Sequence, residues 1–276
     1  MKDKVAIVTG STSGIGKETA TALAQLGARV VMVARNQELA KKVKDEIVKT
    51  TGNQNVDILI TDLSSQAAIR KAAAEFKSKY SNLHILINNA GMAGPRKLSP
   101  DGIEMTLAVN HLAYFLFTSL LLDVLKASAP ARIINVSSEA HRNVQLDFDD
   151  LQMEKNYGSF RAYSLSKLLN ILFTYELARR LEGSNVTVNA LHPGFLSTGI
   201  FREAPGFVRF LVRLVAGSPR RGADAIIRLA TVPEMQNISG KYFNGKKETP
   251  SSPISYDRAA AERLWKISTD LTAKSA

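Results

Sequence analysis

Cysteine is absent from the 276 residues of the chain. Its absence excludes a disulfide framework, a thiolate nucleophile and a zinc or iron–sulfur site with cysteine ligands. A metal site built on histidine is not indicated either, because the histidines show no i,i+4 spacing and no carboxylate pattern; they are His84, His111, His141 and His192. A chain without cysteine suits a reducing compartment, and we expect a cytoplasmic protein without a metal.

Long apolar runs are also missing. The longest apolar stretch, Leu112–Leu125, contains three polar residues and is shorter than the roughly 20 residues that cross a bilayer. Near the N-terminus the first apolar run, Val5–Val8, is too short for the core of a signal peptide. We therefore expect no export signal and no transmembrane segment, while peripheral contact with a membrane stays open.

Acidic residues are outnumbered, with 25 Asp and Glu against 36 Lys and Arg and a formal net charge of +11. This excess favours anionic partners such as phosphates, nucleic acid or acidic lipid headgroups. The basic residues are scattered and do not form a stripe interleaved with aromatic residues, so we expect no nucleic-acid partner. Hydrophobic residues at 45% and charged residues at 22% are typical of a soluble globular protein.

Six short apolar runs, rich in β-branched residues, alternate with longer segments of helical periodicity; the runs are Val5–Val8, Val30–Val33, Val56–Ile60, Ile85–Ile87, Ile133–Val136 and Val186–Ala190. This alternation predicts an α/β fold in which a parallel sheet has helices on both faces. Several runs are apolar throughout, as in central strands that are buried on both sides. No repeat and no Pro-rich or Ser-rich linker divides the chain, so we expect a single domain over residues 1–276.

Two segments interrupt this alternation and are candidate substrate loops, at about residues 139–160 and 195–217. The first is a long polar connection after the fifth strand, and such loops at the carboxyl ends of parallel strands usually shape a ligand crevice. The second, Gly199–Gly217, contains an apolar helical run, Phe207–Val215, in which Arg209 and Arg213 are the only charges. It suits a lid over an apolar substrate, a helix on a membrane surface or a core helix, and we favour the lid.

A glycine-rich turn follows the first strand directly. Thr9–Gly16 reads Thr-Gly-Ser-Thr-Ser-Gly-Ile-Gly and opens a helix. A tight turn between strand and helix lets backbone N–H groups and the positive helix end approach a phosphate. The glycine spacing differs from the common dinucleotide motif, but its position in a strand–helix unit favours a phosphate site over an ordinary turn. The candidate contacts are Gly10, Ser11, Ser13, Gly14, Ile15 and Gly16.

Arg35 and Asn36 follow the second strand, where dinucleotide-binding folds place the group that contacts the adenosine ribose. Arg35 can give a 2′-phosphate two hydrogen bonds and a positive charge, so we expect NADP(H) to be preferred over NAD(H). A role at the start of a solvated helix is the alternative. Asp62 and Leu63, after the third strand, suit either a helix cap before Ser64 or a contact with adenine.

Tyr163 and Lys167 are four residues apart on a predicted helix, so their side chains share one face. A phenol has a pKa near 10 and needs an adjacent cation to act as an acid or base near neutral pH. Lys167 can supply that cation. Polar residues after two further strands, Ser137–Ser138 and Asn88–Gly91, should lie at the same edge of the sheet.

Together these motifs, in this order, resemble the short-chain dehydrogenase/reductase family over nearly the whole chain. The resemblance implies a Rossmann-type, doubly wound parallel sheet and a catalytic tetrad of Asn110, Ser138, Tyr163 and Lys167. Ser138 is chosen over Ser137 because the second serine of such a pair usually fills this role. The resemblance also implies further cofactor contacts at Asp62, Leu63, Asn89, Ala90, Gly91, Tyr163, Lys167, Pro193, Gly194 and Thr198, and substrate contacts at Ser138 and Tyr163. In many members an Asp precedes the Asn-Asn-Ala-Gly motif where this chain has His84.

Within the family, the chain is most similar to the retinol dehydrogenase and WW-domain oxidoreductase branch. The similarity rests on Phe148–Leu151, Glu154–Lys155, Tyr157, Ala162–Phe173, Gly240–Phe243 and Leu264–Trp265. This branch often acts on retinoids, steroids or other apolar alcohols and carbonyls. Many of its retinoid-using members carry an N-terminal membrane anchor that we do not find here, so an apolar aldehyde or ketone is a safer expectation than retinal itself.

The resemblance thus implies an NADP(H)-dependent oxidoreductase that interconverts an apolar carbonyl compound and its alcohol. The alternative is a nucleotide-binding sensor or scaffold that retains the fold, but such a protein has no need of Tyr163 and Lys167 together. A homodimer or homotetramer is open, because the helix with Tyr163 has a second apolar face. This face includes Leu169, Leu172 and Phe173, and it packs either inward or against a symmetry mate.

Overall fold

The computed structural model describes residues 1–194 and 218–273. In this part of the chain the strands are β1 (Val5–Thr9), β2 (Arg29–Ala34), β3 (Val56–Ile60), β4 (Ile85–Asn88), β5 (Ala131–Val136), β6 (Val186–His192), β7 (Tyr242–Asn244) and β8 (Lys247–Glu248). The helices are α1 (Gly14–Gln25), α2 (Gln37–Thr51), α3 (Gln66–Lys79), α4 (Met105–Ala127), α5 (Ser159–Arg180), α6 (Pro219–Thr231) and α7 (Arg258–Ala273). Short 3-10 turns lie at Glu139–Asn143, Phe148–Asp150, Pro233–Met235 and Pro253–Tyr256.

The strands form one sheet in the order β3-β2-β1-β4-β5-β6-β7-β8. All neighbouring strands are parallel except β7 and β8, which form an antiparallel pair. The six predicted strands are confirmed, and the structure lengthens most of them by one or two residues. β7 and β8 were not predicted as strands; they are joined by a short turn that contains Gly245, whose φ of +58° favours glycine.

Side chains of the central strands alternate between the two faces of the sheet, as the two-residue period of a strand requires. In β1, Ala6 and Val8 pack with α1, α2 and α6, whereas Ile7 packs with α3, α4 and α5 on the other face. Both faces are thus covered by helices, which explains why these runs are apolar throughout. This arrangement confirms the doubly wound α/β fold.

Helix α4 departs from regular α-helical geometry near its start, where Ala108–Leu112 forms a π-helical turn that contains Asn110. By length and composition α4 could cross a membrane, but 72% of its most apolar window is buried inside the fold. Core helices of soluble proteins meet the same criterion. The burial therefore indicates that α4 is a core helix packed against the sheet.

The second apolar face of α5 packs inward, against α7. Leu168, Leu169 and Leu172 form one cluster with Ala260, Ala261 and Leu264 of the last helix. Next to this cluster, the Trp265 ring lies 5.1 Å from the ring of Phe115 in α4 and 5.9 Å from that of Phe173 in α5. The chain itself therefore covers the face of α5 that a symmetry mate would otherwise contact.

His84, which stands where many family members have an Asp, joins β1 to the start of β4. The backbone N–H of Val5 donates a hydrogen bond to His84 Nδ1 at 3.1 Å. Burial lowers the pKa of His84 below its usual value, so the ring is neutral and can accept this bond at pH 7. The departure therefore serves the pairing of strands and lies at the opposite end of β4 from Asn88.

Candidate active site

The direction of the strand order reverses between β1 and β4, because β2 and β3 lie on one side of β1 and the later strands lie beyond β4. In open α/β sheets, ligands bind in the crevice at the carboxyl ends of the strands beside such a reversal. Here the glycine turn follows β1, and Asn89, Ala90 and Gly91 follow β4. The two predicted cofactor motifs are therefore neighbours in the fold.

The glycine turn is held in a conformation that larger residues would disturb. Gly10 and Gly14 have φ values of +66° and +54°, in the left-handed region that favours glycine. At Gly16 the limit is space, since a Cβ atom there would lie 2.3 Å from the Gly10 carbonyl oxygen and 2.6 Å from Asn89 Nδ2. The turn is therefore a tight cradle from which α1 begins, with Ser13 at its N-cap position.

Thr9 connects this turn to the end of β4. Its hydroxyl oxygen accepts the backbone N–H groups of Asn89 at 2.8 Å and Ala90 at 3.0 Å. In return, Asn89 Nδ2 donates to the Thr9 carbonyl at 2.8 Å. The Ser11 hydroxyl donates to the carbonyl of Val33 in β2, so it fixes the turn to the sheet.

Arg35 and Asn36 have different structural roles. The Asn36 side chain caps α2, because its Oδ1 accepts the backbone N–H of Leu39 at 2.9 Å. Arg35 therefore does not perform the capping role considered above. Its side chain is exposed and forms no ion pair with any residue in ranges 1–194 and 218–273, so its charge is available to a ligand.

Asp62 lies two residues after β3, and its side chain forms a local turn with Ser64. Its Oδ1 accepts both the backbone N–H of Ser64 at 2.9 Å and the Ser64 hydroxyl at 2.8 Å. Leu63 beside it is half-buried. The N-cap of α3 is Ser65, whose hydroxyl oxygen accepts the Ala68 N–H at 3.3 Å, so the prediction that Asp62 caps this helix is wrong, and the contact with adenine stays a prediction.

Asn110 is fully buried in the π-helical turn of α4 and holds the segment after β4 in place. Its Oδ1 accepts the backbone N–H of Met92 at 2.8 Å, and its Nδ2 donates to the Met92 carbonyl at 2.8 Å. The same Nδ2 donates to the Ser166 hydroxyl at 3.0 Å, and Asn170 Nδ2 donates to the Asn110 carbonyl at 2.9 Å. Asn110 therefore connects the Asn-Asn-Ala-Gly segment to α5.

Tyr163 and Lys167 lie on α5 with side chains only 8% and 2% exposed. Lys167 Nζ donates to the Val136 carbonyl at 2.9 Å and lies 5.5 Å from the centre of the Tyr163 ring. A Cβ atom on Gly91 would lie 3.5 Å from both Lys167 Nζ and Asn110 Oδ1, so these groups meet beside a residue without a side chain. The predicted pair is therefore on one face, next to the glycine-lined edge.

Burial shifts the pKa values of this pair in opposite directions. It raises the pKa of Tyr163 to about 12, and the facing Ser138 hydroxyl opposes that rise. It lowers the pKa of Lys167 to about 7. This result differs from the expectation that Lys167 depresses the Tyr163 pKa, because the loss of hydration disfavours both ions. At neutral pH the phenol is therefore protonated.

The two serines after β5 differ in burial and in the partners of their hydroxyl groups. The Ser137 hydroxyl is 2% exposed and donates to the Lys167 carbonyl at 2.8 Å. Ser138 is half-buried, and its side chain interacts with the Tyr163 phenol. Ser138 thus has the position that the motif implied, while Ser137 anchors α5 to the sheet.

The remaining predicted contacts lie beyond β6. Pro193 and Gly194 are half-buried, and Gly194 has a φ of +96°. Thr198, the loop over residues 195–217 and the Gly199–Gly217 helix lie outside the described residues. The loop over residues 139–160 is described, and its first part is a 3-10 turn that begins directly after Ser138. Among the described residues there is no cluster that could hold a metal ion.

Three residues near the site were not given roles from the sequence: Thr9, Tyr114 and Asn170. The Tyr114 hydroxyl donates to the Ala90 carbonyl at 2.7 Å, and its ring centre lies 5.6 Å from Lys167 Nζ. The apolar periodicity of this segment places Tyr114 in a core helix, so only its hydroxyl could have indicated a polar partner. Asn170 is one turn beyond Lys167, and a buried amide on a helix is a signal that could have been followed.

Comparison with known proteins shows the family and the fold of this chain. The family described as short chain dehydrogenase matches residues 4–206. Human retinol dehydrogenase 11 is 45% identical over 272 residues, which cover 97% of this chain and 85% of that protein. An uncharacterised protein from Mycobacterium Paratuberculosis has a structure with a TM-score of 0.81 and 30% identity, covering 99% of this chain and 94% of that chain.

A second solved structure, the Pseudomonas aeruginosa RhlG/NADP active-site complex, has a TM-score of 0.71 and 26% identity. It covers 88% of this chain and 95% of that chain. The family match extends over residues 4–206, and the alignment with the human relative covers 97% of this chain and 85% of that protein. The chain therefore belongs to the short chain dehydrogenase family, in the branch that contains the retinol dehydrogenases.

Proposed function

We propose that the protein is an NADP(H)-dependent oxidoreductase that interconverts an apolar aldehyde or ketone and its alcohol. The observation that carries the proposal is the meeting of Tyr163, Lys167 and Ser138 beside the glycine-lined edge of the sheet. Asn110 braces this edge from α4. Family membership supports the oxidoreductase class, and the features below support the cofactor, the substrate and the role of each residue.

The residues at the reversal of the strand order fit a dinucleotide. The tight turn at Gly10, Gly14 and Gly16 leaves room for the backbone to approach a pyrophosphate at the start of α1. The Arg35 guanidinium is exposed where a 2′-phosphate would lie and forms no ion pair with the described residues, and the related RhlG structure is an NADP complex. When bound, NADPH would supply the hydride for reduction of the carbonyl carbon.

In this proposal Tyr163 is the proton donor to the carbonyl oxygen. Its pKa is raised to about 12, so the phenol carries its proton throughout the neutral pH range. The Ser138 hydroxyl would hold the same substrate oxygen by a second hydrogen bond, which stabilises the charge that develops there. The Lys167 ammonium would stabilise the phenolate that proton donation leaves behind, because Nζ lies 5.5 Å from the centre of that ring.

An apolar substrate is supported by the similarity to human retinol dehydrogenase 11, since retinol is an apolar alcohol. The residues that would surround such a substrate belong to loops, which vary most between relatives. We therefore propose the class, an apolar aldehyde or ketone, and leave its members to a substrate panel.

Consumption of NADPH with all-trans-retinal, a long aliphatic aldehyde and a ketosteroid tests this function, with NADH as the comparison. We expect turnover with at least one compound and a loss of about 100-fold or more in Tyr163→Phe, the usual scale for a positioned acid. Tyr175→Phe is the matched control. It removes a buried phenol from the same helix, but the Tyr175 hydroxyl is hydrogen-bonded to Ser251 and not to Ser138. Equal turnover in wild type and Tyr163→Phe would contradict the proposal.

A further inference from the structure

His141 is a fully buried imidazole that the reaction described above does not use. It lies in the 3-10 turn after Ser138 and has a bond on each ring nitrogen. Its Nδ1 is 2.6 Å from the carbonyl oxygen of Ser138. Its Nε2 is 3.0 Å from the backbone nitrogen of Ser252, which precedes the last 3-10 turn of the chain. The ring thus bridges the candidate catalytic serine and the C-terminal part of the chain.

The two backbone partners fix the tautomer of this ring. A carbonyl oxygen only accepts hydrogen bonds and a backbone N–H only donates them, so the proton is on Nδ1 and the lone pair is on Nε2. Burial lowers the pKa of His141, which keeps the ring neutral at physiological pH. The charged side chains that face it are Glu139 and Arg142, which form an ion pair with each other at 2.8 Å.

The surroundings hold the imidazole in one orientation. The ring of Tyr242 in β7 packs edge-on against it with ring centres 5.0 Å apart. The Tyr242 hydroxyl in turn donates to Glu139 Oε1 at 2.6 Å, so the first residue of this 3-10 turn, next to Ser138, is also fixed. The Nδ1–H group of His141 is therefore held toward the backbone carbonyl of Ser138, whose hydroxyl faces Tyr163.

We propose that His141 is a positioning residue that orients Ser138 through the bond from Nδ1–H to the Ser138 carbonyl. The Ser138 carbonyl also accepts the His141 backbone N–H at 3.1 Å, and the Ser138 hydroxyl oxygen accepts the Ala140 N–H at 3.2 Å. The bond from the imidazole is the shortest of these three hydrogen bonds, and it sets the angle at which the Ser138 hydroxyl meets the substrate oxygen. This inference rests on the proposed role of Ser138.

Two amide substitutions separate this role from a merely structural one. In His141→Asn the side-chain NH₂ takes the place of Nδ1–H and keeps the donor to the Ser138 carbonyl, while the acceptor for Ser252 is lost. In His141→Gln the side-chain oxygen reaches the place of Nε2 and keeps the acceptor for the Ser252 N–H, while the donor to Ser138 is lost. Each variant thus removes one of the two bonds.

The proposal predicts opposite effects in the two variants. We expect His141→Gln to lower kcat about tenfold with an unchanged Kd for NADPH and a melting temperature close to that of wild type. We expect His141→Asn to stay within about twofold of the wild-type kcat while its melting temperature falls, because the buried Ser252 N–H loses its acceptor. Loss of kcat in both variants in proportion to their loss of stability would overturn the positioning role.

Nitrogen-15 NMR of wild-type protein provides a readout that needs no turnover. We expect a protonated Nδ1 and an unprotonated Nε2 for His141, and an Nε2–H tautomer would overturn the proposal even if a variant fails to fold. Wild-type protein that turns over no carbonyl compound would refute the proposed function itself. Turnover in wild type together with full kcat in His141→Gln would refute only the role of His141.

Discussion

At the residue scale, burial shifts Tyr163 and Lys167 toward their neutral forms, and this has a consequence for pH. The pKa of Lys167 is lowered to about 7, so its ammonium is present below that pH and is lost above it. Tyr163, with a pKa of about 12, stays protonated over the same range. We therefore predict that kcat for carbonyl reduction falls as pH rises through about 7, measured at saturating NADPH and substrate.

Titration of the histidines near the site would not give the same dependence of kcat on pH. Burial lowers the pKa values of His141 and His192 below their usual range, so both titrate on the acid side of Lys167. A kcat that is flat or rises between pH 6.5 and 8 would contradict the role of the Lys167 ammonium in stabilising the phenolate.

Arg35 carries a prediction about the choice of cofactor. Replacing it with Asp should shift the preference between NADPH and NADH toward NADH by about 1–3 kcal/mol, the range for a lost charge-assisted hydrogen bond. The ratio of kcat/KM for the two cofactors measures this shift. Lys71→Asp changes the net charge equally at an exposed position of α3 and should leave the ratio unchanged. An unchanged ratio in Arg35→Asp would show that another residue selects the cofactor.

Much of the candidate site could be predicted from the sequence at this scale. The four-residue spacing of Tyr163 and Lys167 and the polar residues after the strands predicted one cluster, and the structure brings these side chains together. The direction of the Tyr163 pKa could not be predicted, because it depends on burial by residues far apart in the chain. For the same reason the bond between His141 and Ser252, 111 positions apart, has no local signal.

At the scale of elements, the glycine turn between β1 and α1 is the part that tolerates least change. A Cβ atom at position 16 would collide with the Gly10 carbonyl at 2.3 Å, so backbone must move. We predict that Gly16→Ala weakens NADPH binding by about 100-fold or more, since roughly 2.7 kcal/mol corresponds to that factor. NADPH fluorescence titration provides the measurement.

Gly52→Ala is the matched control for this prediction. Gly52 ends α2 with a φ of +73°, and a Cβ atom there would meet nothing within 4 Å. The change should destabilise the fold by about 1–2 kcal/mol through the left-handed backbone alone and leave the Kd for NADPH unchanged. NADPH binding by Gly16→Ala at wild-type strength would show that the turn is not a phosphate cradle.

Some strands and helical turns could be predicted from sequence patterns, and others could not. The six parallel strands were predictable because their residues are apolar on both faces and are bounded by helical segments. The pair β7 and β8 was not, because strands of three and two residues are too short for a period to be visible. The π-helical turn around Asn110 has no sequence pattern of its own; it contacts α5, since Asn110 Nδ2 donates to the Ser166 hydroxyl and Asn170 Nδ2 donates to the Asn110 carbonyl.

At the scale of the whole molecule, α7 connects the end of the chain to the helix that carries the candidate catalytic pair. Trp265 is the single tryptophan, and the Arg180 guanidinium lies 4.2 Å above its ring. Its fluorescence therefore reports whether α7 is docked on α4 and α5. We predict that the tryptophan signal and far-UV circular dichroism follow one coincident transition in urea, as in a single cooperative domain.

Leu264→Ala sharpens this test. Leu264 is 2% exposed in the cluster between α5 and α7, so truncation should destabilise the fold by about 2–5 kcal/mol through the cavity that it leaves. Both spectroscopic transitions should move together to lower urea concentration. A tryptophan transition that precedes the loss of secondary structure would mean that α7 unfolds separately from the rest of the fold.

In the proposed reaction a hydride moves to an apolar carbonyl carbon while Tyr163 supplies the proton to its oxygen. This transfer is measured with NADPH that carries deuterium at both C4 positions, a carbonyl substrate found in the panel, and mass spectrometry of the alcohol. We expect one deuterium on the carbinol carbon with wild-type protein and about 100-fold less labelled product with Tyr163→Phe. An alcohol without deuterium at that carbon, or equal labelling by the variant, would contradict it.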